Sequence, residues 1–403
     1  MDGAWRSDEA TLVCTVNAGT TVLGHVVIDA AVDGRACGGV RIAPDVDEAE
    51  VRSLARAMTL KFGLLGLPQG GAKAGIRGDP EAPPEERRRL LTGFGQAIGP
   101  LLQRGVYAPA TDIGTDLADV RHLLEAAGVR LKRREQRVER TGYYTAVTVF
   151  AAAKQAARHV GLELAGATAA VEGFGKVGGD LATLLVDAGV RVVAVSTSRG
   201  AIYNPRGLDV GRLSRLSAEA GSRAVEQYPD AERIDLRALL ELPVDLLCPC
   251  ARPDSVHAGN AARVAARIVA PGANDPVTLE AERGLFQRGI VVVPDFVANC
   301  GGVLGGTMAF AAIDRATIAA FMERRLGERI AWILEEAARR EVPPREVAAP
   351  YAQRRFEEVR ERAARSTLRG RVLEAGLAAH RRGWVPERVV ANLSLPYFER
   401  AVS

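Results

Sequence analysis

Lysine is the scarce residue in this chain. Of its 53 basic residues only five, at positions 61, 73, 132, 154 and 176, are lysine, and the rest are arginine. Cysteine is thinly scattered as well, at 14, 37, 248, 250 and 300. An odd set without CxxC spacing, Cys248-Pro-Cys250 included, gives neither a disulfide framework nor a zinc site, and reads as free thiols in a reducing cytoplasm. No stretch of about 18 apolar residues escapes charge, Gly or Pro, so no membrane span is expected. The opening MDGAWRSDEA has no basic segment followed by an apolar one and does not read as a signal peptide. The net charge of +4 comes from nearly balanced signs, whereas a dedicated nucleic-acid binder carries a strong basic excess. Arginine-rich stretches such as RRLGER and RRFEEVRERAARS therefore read as solvated helix faces.

What is present is a globular composition, 47 % apolar and 25 % charged. At 403 residues the chain is too long for one compact core, which predicts two domains. TTVLGHVVIDA (20–30) reads as a strand, with Asp33-Gly34 a candidate tight turn. DEAEVRSLARAMTLKFGLL (47–65) spaces Val51, Leu54, Met58 and Phe62 as an amphipathic helix with acidic residues in its first turn. A second helix is expected over 84–103, followed by an extended segment running into the loop PATDIGTD. From about 141 the pattern alternates. An Ala-rich helix precedes TAAVEGF, a helix, VRVVAVSTS, and three further apolar runs closed by Gly, Pro or Asn. That alternation predicts βαβ units and a parallel sheet. Beyond 311 the chain reads helical, with breaks near Pro343-Pro344, Pro350 and Pro386.

Two stretches carry chemistry. In LPQGGAKAGI the chain writes Lys73 among small residues, although it writes Arg almost everywhere else. Arg stays protonated, whereas burial and neighbouring cations can strip a Lys of its proton. The small neighbours would let substrate and water come close. A P-loop is excluded, because Ala72 and Ala74 stand where GK[ST] is required. In the second stretch, Gly173-Phe174-Gly175-Lys176-Val177-Gly178 follows an apolar strand and opens a helix, the context of a dinucleotide-binding turn. At the end of the next strand, Thr197, Ser198 and Arg199 offer no carboxylate against a 2′-phosphate. NADP(H) is therefore slightly preferred over NAD(H), with a solvent-directed Arg199 and a site open to either cofactor as the alternative.

CGGVRIAPD, MTLKFGLLGLPQGGAKAGIRGDP, APATDIGTD, VEGFGKVGG, APGANDPVT and VVVPDFVANCGGV stand in the order seen in the glutamate/leucine/phenylalanine/valine dehydrogenases. Over residues 20–310 the chain resembles that family, closer to the leucine/phenylalanine branch in its substrate site, although YNPRGLD resembles the glutamate branch. The resemblance implies a two-domain α/β fold. Residues 1–140, completed by C-terminal helices 311–403, would bind substrate and build a homo-oligomer, and 141–310 would form a doubly wound Rossmann domain, with the reaction in the cleft between. It implies NAD(P)-dependent, reversible conversion of an L-amino acid into a 2-oxo acid and ammonia. Lys73 matches the water-activating lysine, Asp112 the carboxylate exchanging protons with the amine, and Lys61 the ligand of the α-carboxylate. Gly38, Gly39, Cys37, Met58, Ala110 and Gly306 match substrate positions. Thr145, Ala251, Asn274 and Asn299 match positions near the cofactor. No metal is implied. The chemistry agrees, since adding water to an imino carbon near neutral pH needs an amine base about three units below an ordinary lysine's 10.4.

There are departures from the family. Glutamate dehydrogenases hold the substrate's side-chain carboxylate with a Lys before the GG pair and a Ser seven residues after the Asn of NAGGV. Here those positions are Cys37 and Gly306, so glutamate is disfavoured. Small residues at 305 and 306 suggest room for a bulky or unusual side chain. Cys300 replaces an Ala, an Arg-rich REQRVERTGYY precedes the crossover helix, and the tail beyond about 355 matches no motif. The expected protein is a cytoplasmic amino-acid dehydrogenase without nucleic-acid or membrane partners. The alternatives are a conventional leucine, valine or phenylalanine dehydrogenase, a silent nucleotide-binding paralogue, and a nucleic-acid-associated module.

Overall fold

A computed structural model describes residues 11–130, 141–365, 379–380 and 384–402. The expectations for MDGAWRSDEA, for REQRVER and for most of the tail beyond 365 lie outside those residues. The fold is two-domain α/β, and its contacts divide the chain into residues 1–138 with 352–393, and residues 139–351 with 394–403.

The first unit holds a mixed sheet. Strands β1 (Leu12–Ala18), β2 (Thr21–Ile28), β3 (Ala36–Ala43), β4 (Gly70–Arg77) and β5 (Tyr107–Thr111) stand in the order β1-β2-β4-β3-β5. The β1–β2 and β2–β4 pairs are antiparallel, and β4–β3 and β3–β5 are parallel. Asp33 and Gly34, both at positive φ, turn the chain between β2 and β3, and Val32 and Arg35 exchange backbone hydrogen bonds across them at 3.0 Å. This is the tight turn expected from the Asp-Gly pair.

Side chains alternate across a strand, and here the alternation separates core from chemistry. Ala36, Val40 and Ile42 of β3 and Ala72, Ala74 and Ile76 of β4 share a core cluster with Leu91, Phe94 and Leu123. The opposite face carries the helix Glu48–Leu65, capped by the Asp47 side chain at its start and by Gly66 in the left-handed conformation at its end. Gly71 and Gly75 let that helix lie close. A Cβ at Gly71 would stand 2.3 Å from the Thr59 amide, and one at Gly75 would stand 2.6 Å from Val46 and Val51 side-chain carbons. The glycines around Lys73 thus serve helix-on-strand packing, which corrects the reading that they admit substrate. The helix expected over 84–103 is two, Pro84–Ala97 and Gly99–Gln103, divided at Ile98 before Gly99-Pro100.

The second unit holds seven strands: β6 (Thr168–Glu172), β7 (Arg191–Thr197), β8 (Gly200–Tyr203), β9 (Glu232–Ile234), β10 (Leu246–Pro249), β11 (Ile268–Val269) and β12 (Val291–Val292). Their order is β12-β11-β10-β6-β7-β8-β9. The five from β12 to β7 run parallel, as expected, while β8 and β9 close the sheet antiparallel. From β6 the chain moves to β7 on one side and later to β10 on the other, so the order reverses between β6 and β10. That is where doubly wound sheets bind ligands.

The helices after 311 divide differently from the expectation. Arg315–Arg340 lies within the second unit and packs on Thr141–His159, where a Cβ at Gly327 would stand 3.0 Å from the Gln155 amide nitrogen. Pro350 sits inside the continuous helix Pro344–Ala364 rather than breaking it. The RRLGER face is not simply solvated. Arg325 Nε donates to Glu399 at 2.6 Å and Arg329 to the Val402 carbonyl at 3.1 Å, holding the end of the helix Glu387–Val402.

Gly38 is the tightest of these contacts, since a Cβ there would lie 1.6 Å from the Ala72 carbonyl oxygen. Gly38→Ala should force β3 from β4 and cost about 3 kcal/mol or more. Gly93→Ala, in a helix with only Leu23 within 4 Å, should be neutral or stabilising by up to about 1 kcal/mol. Urea unfolding of the two variants checks the contrast.

Candidate active site

The helix-covered face of the first sheet brings the first set of expected residues together. Register places Cys37 opposite Gly71 and Ala108, and Gly39 opposite Ala110. Arg41 is opposite Gly75, and Lys73 is opposite Val27. Asp112 directly follows β5. Lys73 Nζ is 2.8 Å from Asp112 Oδ2, and Arg41 Nε donates to the same oxygen at 3.0 Å. A terminal nitrogen of Arg41 also pairs with Glu50 of the helix Glu48–Leu65. Lys73 and Arg41 are both buried.

Burial by itself would push the Asp112 carboxyl up. The Lys73 ammonium and the Arg41 guanidinium beside it outweigh burial and hold it well below the usual carboxylate range. Its backbone is fixed too: the Asp112 N–H donates to Thr115 Oγ1 at 2.9 Å, and the Thr115 hydroxyl donates to the Val40 carbonyl at 2.7 Å. Gly39 leaves room for this carboxylate, since a Cβ there would lie 2.7 Å from the Asp112 Cβ. The Tyr107 hydroxyl donates to the Gly38 carbonyl at 2.9 Å. Burial pushes the Cys37 thiol up to about 11, against the opposing pull of Lys73, so it is neutral at neutral pH. Lys61 is buried and Met58 half-buried, both on the helix Glu48–Leu65 that covers this face.

The rest of the expected residues lie in the second unit. Gly173 turns at φ +89° against Ala251, whose Cβ a substituent would meet at 2.9 Å. Gly178 sits where a Cβ would strike the Gly173 carbonyl oxygen at 2.0 Å, and Gly175, at the N-cap of the helix Lys176–Asp187, has nothing within 4 Å of its would-be Cβ. Two glycines are thus required by the protein's own packing, and the third leaves open space at a helix N-terminus, the place a pyrophosphate takes in such turns. Phe174 is buried, with its N–H bonded to the Ser196 carbonyl at 2.6 Å; the Lys176 and Val177 positions begin the helix.

Thr197 is turned inward, donating to the Ser222 carbonyl at 2.7 Å and accepting from the Arg199 N–H at 3.1 Å, while Ser198 and Arg199 are exposed. The Asn299 amide donates to the Ala273 carbonyl at 2.7 Å and to Asn274 Oδ1 at 3.1 Å, and Asn299 Oδ1 is buried without a donor among the described residues. Thr145 is half-buried in the helix Thr141–His159, its carbonyl accepting from Thr148. Gly306 lies in the helix Gly301–Phe310. Beside Gly305 there is no spare room, because a Cβ there would stand 2.2 Å from the Tyr144 ring. That corrects the expectation of space at this position.

Residues 135–363 match the Glutamate/Leucine/Phenylalanine/Valine dehydrogenase family, and residues 10–127 match the Glu/Leu/Phe/Val dehydrogenase, dimerisation domain. The chain belongs to this family. It is 42 % identical over 288 residues to the glutamate dehydrogenase of Thermotoga maritima, covering 67 % of this chain and 68 % of that one. An NADP(+)-dependent glutamate dehydrogenase of Pyrobaculum calidifontis and an NAD-specific one of Staphylococcus aureus are each 36 % identical over about two thirds of both chains. Among solved structures, the hetero-hexameric glutamate dehydrogenase of Thermus thermophilus in a Leu bound form is similar over 87 % of this chain and 89 % of that one, with TM-score 0.74 and 26 % identity. L-tryptophan dehydrogenase from Nostoc punctiforme shares the fold over 87 % and 96 %, with TM-score 0.59 and 22 % identity.

This chain is therefore an amino-acid dehydrogenase, an oxidoreductase working with a nicotinamide cofactor. Among the described residues, no group of three or more His, Cys, Asp or Glu is placed to hold a metal, and no helix is long and apolar enough to cross a membrane. Sequence reading missed Arg41, Glu50, Thr115 and Ser196, whose hydroxyl accepts from the Gly173 N–H at 2.9 Å. Arg41 was within reach: it lies two residues beyond Gly39 in CGGVRIAPD, so a strand with Gly39 facing the site turns Arg41 to the same face.

The depressed Asp112 titration has a consequence for this dehydrogenase's stability. Its ionised form contributes stability above the unfolded value of about 3.9, lost as pH falls through the lower folded value. Asp112→Asn removes the carboxylate that Lys73 and Arg41 share and should cost about 3–5 kcal/mol at pH 7. The gap to the native protein should begin to narrow once pH drops below about 4 and close only as pH falls through the lower folded value. Chemical unfolding between pH 7 and pH 3 measures the onset of that narrowing.

Proposed function

We propose that this dehydrogenase interconverts an L-amino acid other than glutamate with its 2-oxo acid and ammonia. The Lys73–Asp112 contact carries the reading: a buried amine and a carboxylate 2.8 Å apart on one sheet face. Lys61, buried on the covering helix, binds the substrate α-carboxylate. Asp112, ionised, takes a proton from the substrate ammonium; a nicotinamide held by the second unit would supply the hydride acceptor for Cα. Lys73 then takes a proton from the water that adds to the imino carbon, Asp112 returns its proton to the nitrogen, and ammonia leaves as the carbinol hydroxyl gives its proton to Asp112 and the 2-oxo acid forms. In the reverse direction each proton retraces its path.

The Gly173–Gly178 turn would hold the pyrophosphate, with Asn274 and Asn299 toward the nicotinamide, where the unpartnered Asn299 Oδ1 is an acceptor suited to a carboxamide N–H. Thr145 and Ala251 complete that reading. NADP(H) is favoured over NAD(H), because the end of β7 offers Thr197, Ser198 and Arg199 and no carboxylate to repel a 2′-phosphate. Named relatives use either cofactor.

The substrate reading rests on Cys37 and Gly306. A neutral thiol and a glycine give no charge-assisted bond to a side-chain carboxylate, and an unmatched buried carboxylate is strongly rejected. The glutamate dehydrogenase names of the relatives favour the other reading, glutamate itself. A conventional leucine, valine or phenylalanine substrate is compatible with the same two residues. The first unit, matching a dimerisation domain, would build a homo-oligomer in the cytoplasm, without nucleic-acid or membrane partners.

The test follows NADPH and NADH oxidation with ammonium and 2-oxo acids from 2-oxoglutarate through branched to aromatic. Ammonium-dependent turnover on an uncharged side chain is expected, falling about 10²–10⁴-fold or more in Lys73→Ala. Turnover chiefly on 2-oxoglutarate would overturn the substrate assignment. Gly175→Ala, placed in open space, should weaken NADPH binding with little change in thermal stability, whereas Gly178→Ala should lower stability; nucleotide titration and melting curves separate the two.

A further inference from the structure

Arg41 is the buried charge at the site that has no part in the steps above. Its Nε binds Asp112 Oδ2 at 3.0 Å, one terminal nitrogen pairs with Glu50, and the other is buried without an acceptor among the described residues. Lys73 Nζ reaches the same Asp112 oxygen at 2.8 Å. One carboxylate oxygen thus faces two cations, only one of which can shed its proton. A lysine paired alone with a carboxylate holds its proton firmly. A second, permanent cation on that oxygen takes up part of the negative charge. A guanidinium suits the task, being always charged and planar enough to span two carboxylates, whereas a lysine ammonium is a single point charge.

We propose that Arg41 is a positioning residue of the reaction, clamping Asp112 between sheet and helix and, as a fixed charge, easing proton release from Lys73, with Glu50 opposing. This rests on the dehydrogenase mechanism proposed above. The other titratable groups that act on this pair are Cys37 on β3 and Tyr107 on β5, while Asp29, just after β2, is held by Thr59 and Arg56 of the covering helix, on which Lys61 is also buried. Glu50 is the acidic group of that helix that touches Arg41, so it and Arg41 are the pair whose removal should act with opposite sign.

The experiment is a pH titration of the lysine 13Cε resonances in the full-length protein. There are five lysines, and the Lys73 signal is assigned by its loss in Lys73→Arg. In Arg41→Met the Lys73 midpoint should rise by about one unit or more, and in Glu50→Gln it should fall. The pH at which kcat/KM for deamination climbs should move the same two ways, so the Arg41→Met deficit narrows as pH rises. A purely structural loss would lower the rate equally at every pH. Arg41→Lys keeps the charge without the fork, and should keep the pH limb near the native position with a lower kcat.

Unmoved Lys73 midpoints in folded Arg41→Met and Glu50→Gln overturn the proposal. Should Arg41→Met not fold, Glu50→Gln decides alone: a fall supports it, and no change or a rise overturns it. Midpoints that move as stated, in a protein that turns over none of the 2-oxo acids, would leave the charge clamp standing and remove the dehydrogenase mechanism.

Discussion

Three charged side chains meet on one face of a sheet, with Asp112 between Lys73 and Arg41. The arrangement is demanding, because each of those charges is costly to bury and Asp112 is the carboxylate that both cations share. Much of the first unit can be understood as what keeps them together. β3, β4 and β5 must pair in the observed register, so that alternate residues Cys37, Gly39, Arg41 and Gly71, Lys73, Gly75 face one way. The other face must then be apolar, and it is. The covering helix must lie close enough to bring Glu50 to Arg41, which explains glycines at 71 and 75. Thr115 fixes the backbone from which Asp112 projects. Gly38 and Gly39 set the spacing, one against Ala72 and the other against the Asp112 side chain.

The second unit follows a separate logic, in which glycine again decides, for backbone reasons. Gly173 must turn at positive φ beside Ala251 and Gly178 must pass under the Gly173 carbonyl, while Gly175 answers to no neighbour. The turn thus leaves room that the protein itself does not fill, at the sheet's reversal point. Buried Asp295 serves the segment around Asn299 in the same way. It accepts from the Asp275 N–H at 3.0 Å and pairs with Arg345 at 2.8 Å, and Arg345 also binds Glu282. This buried network fixes the short helix Asp295–Ala298 that leads into Asn299.

The second unit was largely legible in the sequence, because its strands are runs of Val and Ala separated by helices with clear caps and period. β3 and β4 were not. ACGGVRIA and GGAKAGIR lack the β-branched run that marks a strand, and their glycines read locally as loop. They are strands because neighbouring backbones and a helix require that little side-chain volume. Lys73 and Asp112 were found through their motifs, whereas the Arg41–Asp112 pair, 71 residues apart, depends on register that no local pattern encodes. The assignment of all helices after 311 to the first unit failed for a related reason. An amphipathic helix declares that it will be covered, not by which sheet, and Arg315–Arg340 is covered by Thr141–His159.

The whole site depends on Asp112 remaining ionised beside Lys73 and Arg41. Carboxyl 13C resonances of aspartate-labelled protein, with Asp112 assigned by its loss in Asp112→Asn, would test it without reference to any substrate. The Asp112 signal should keep its ionised position down to about pH 3, below the ordinary aspartate range near 3.9. A titration at or above that range would show that Lys73 and Arg41 do not hold the charge, and the reading of the site built on them would fail.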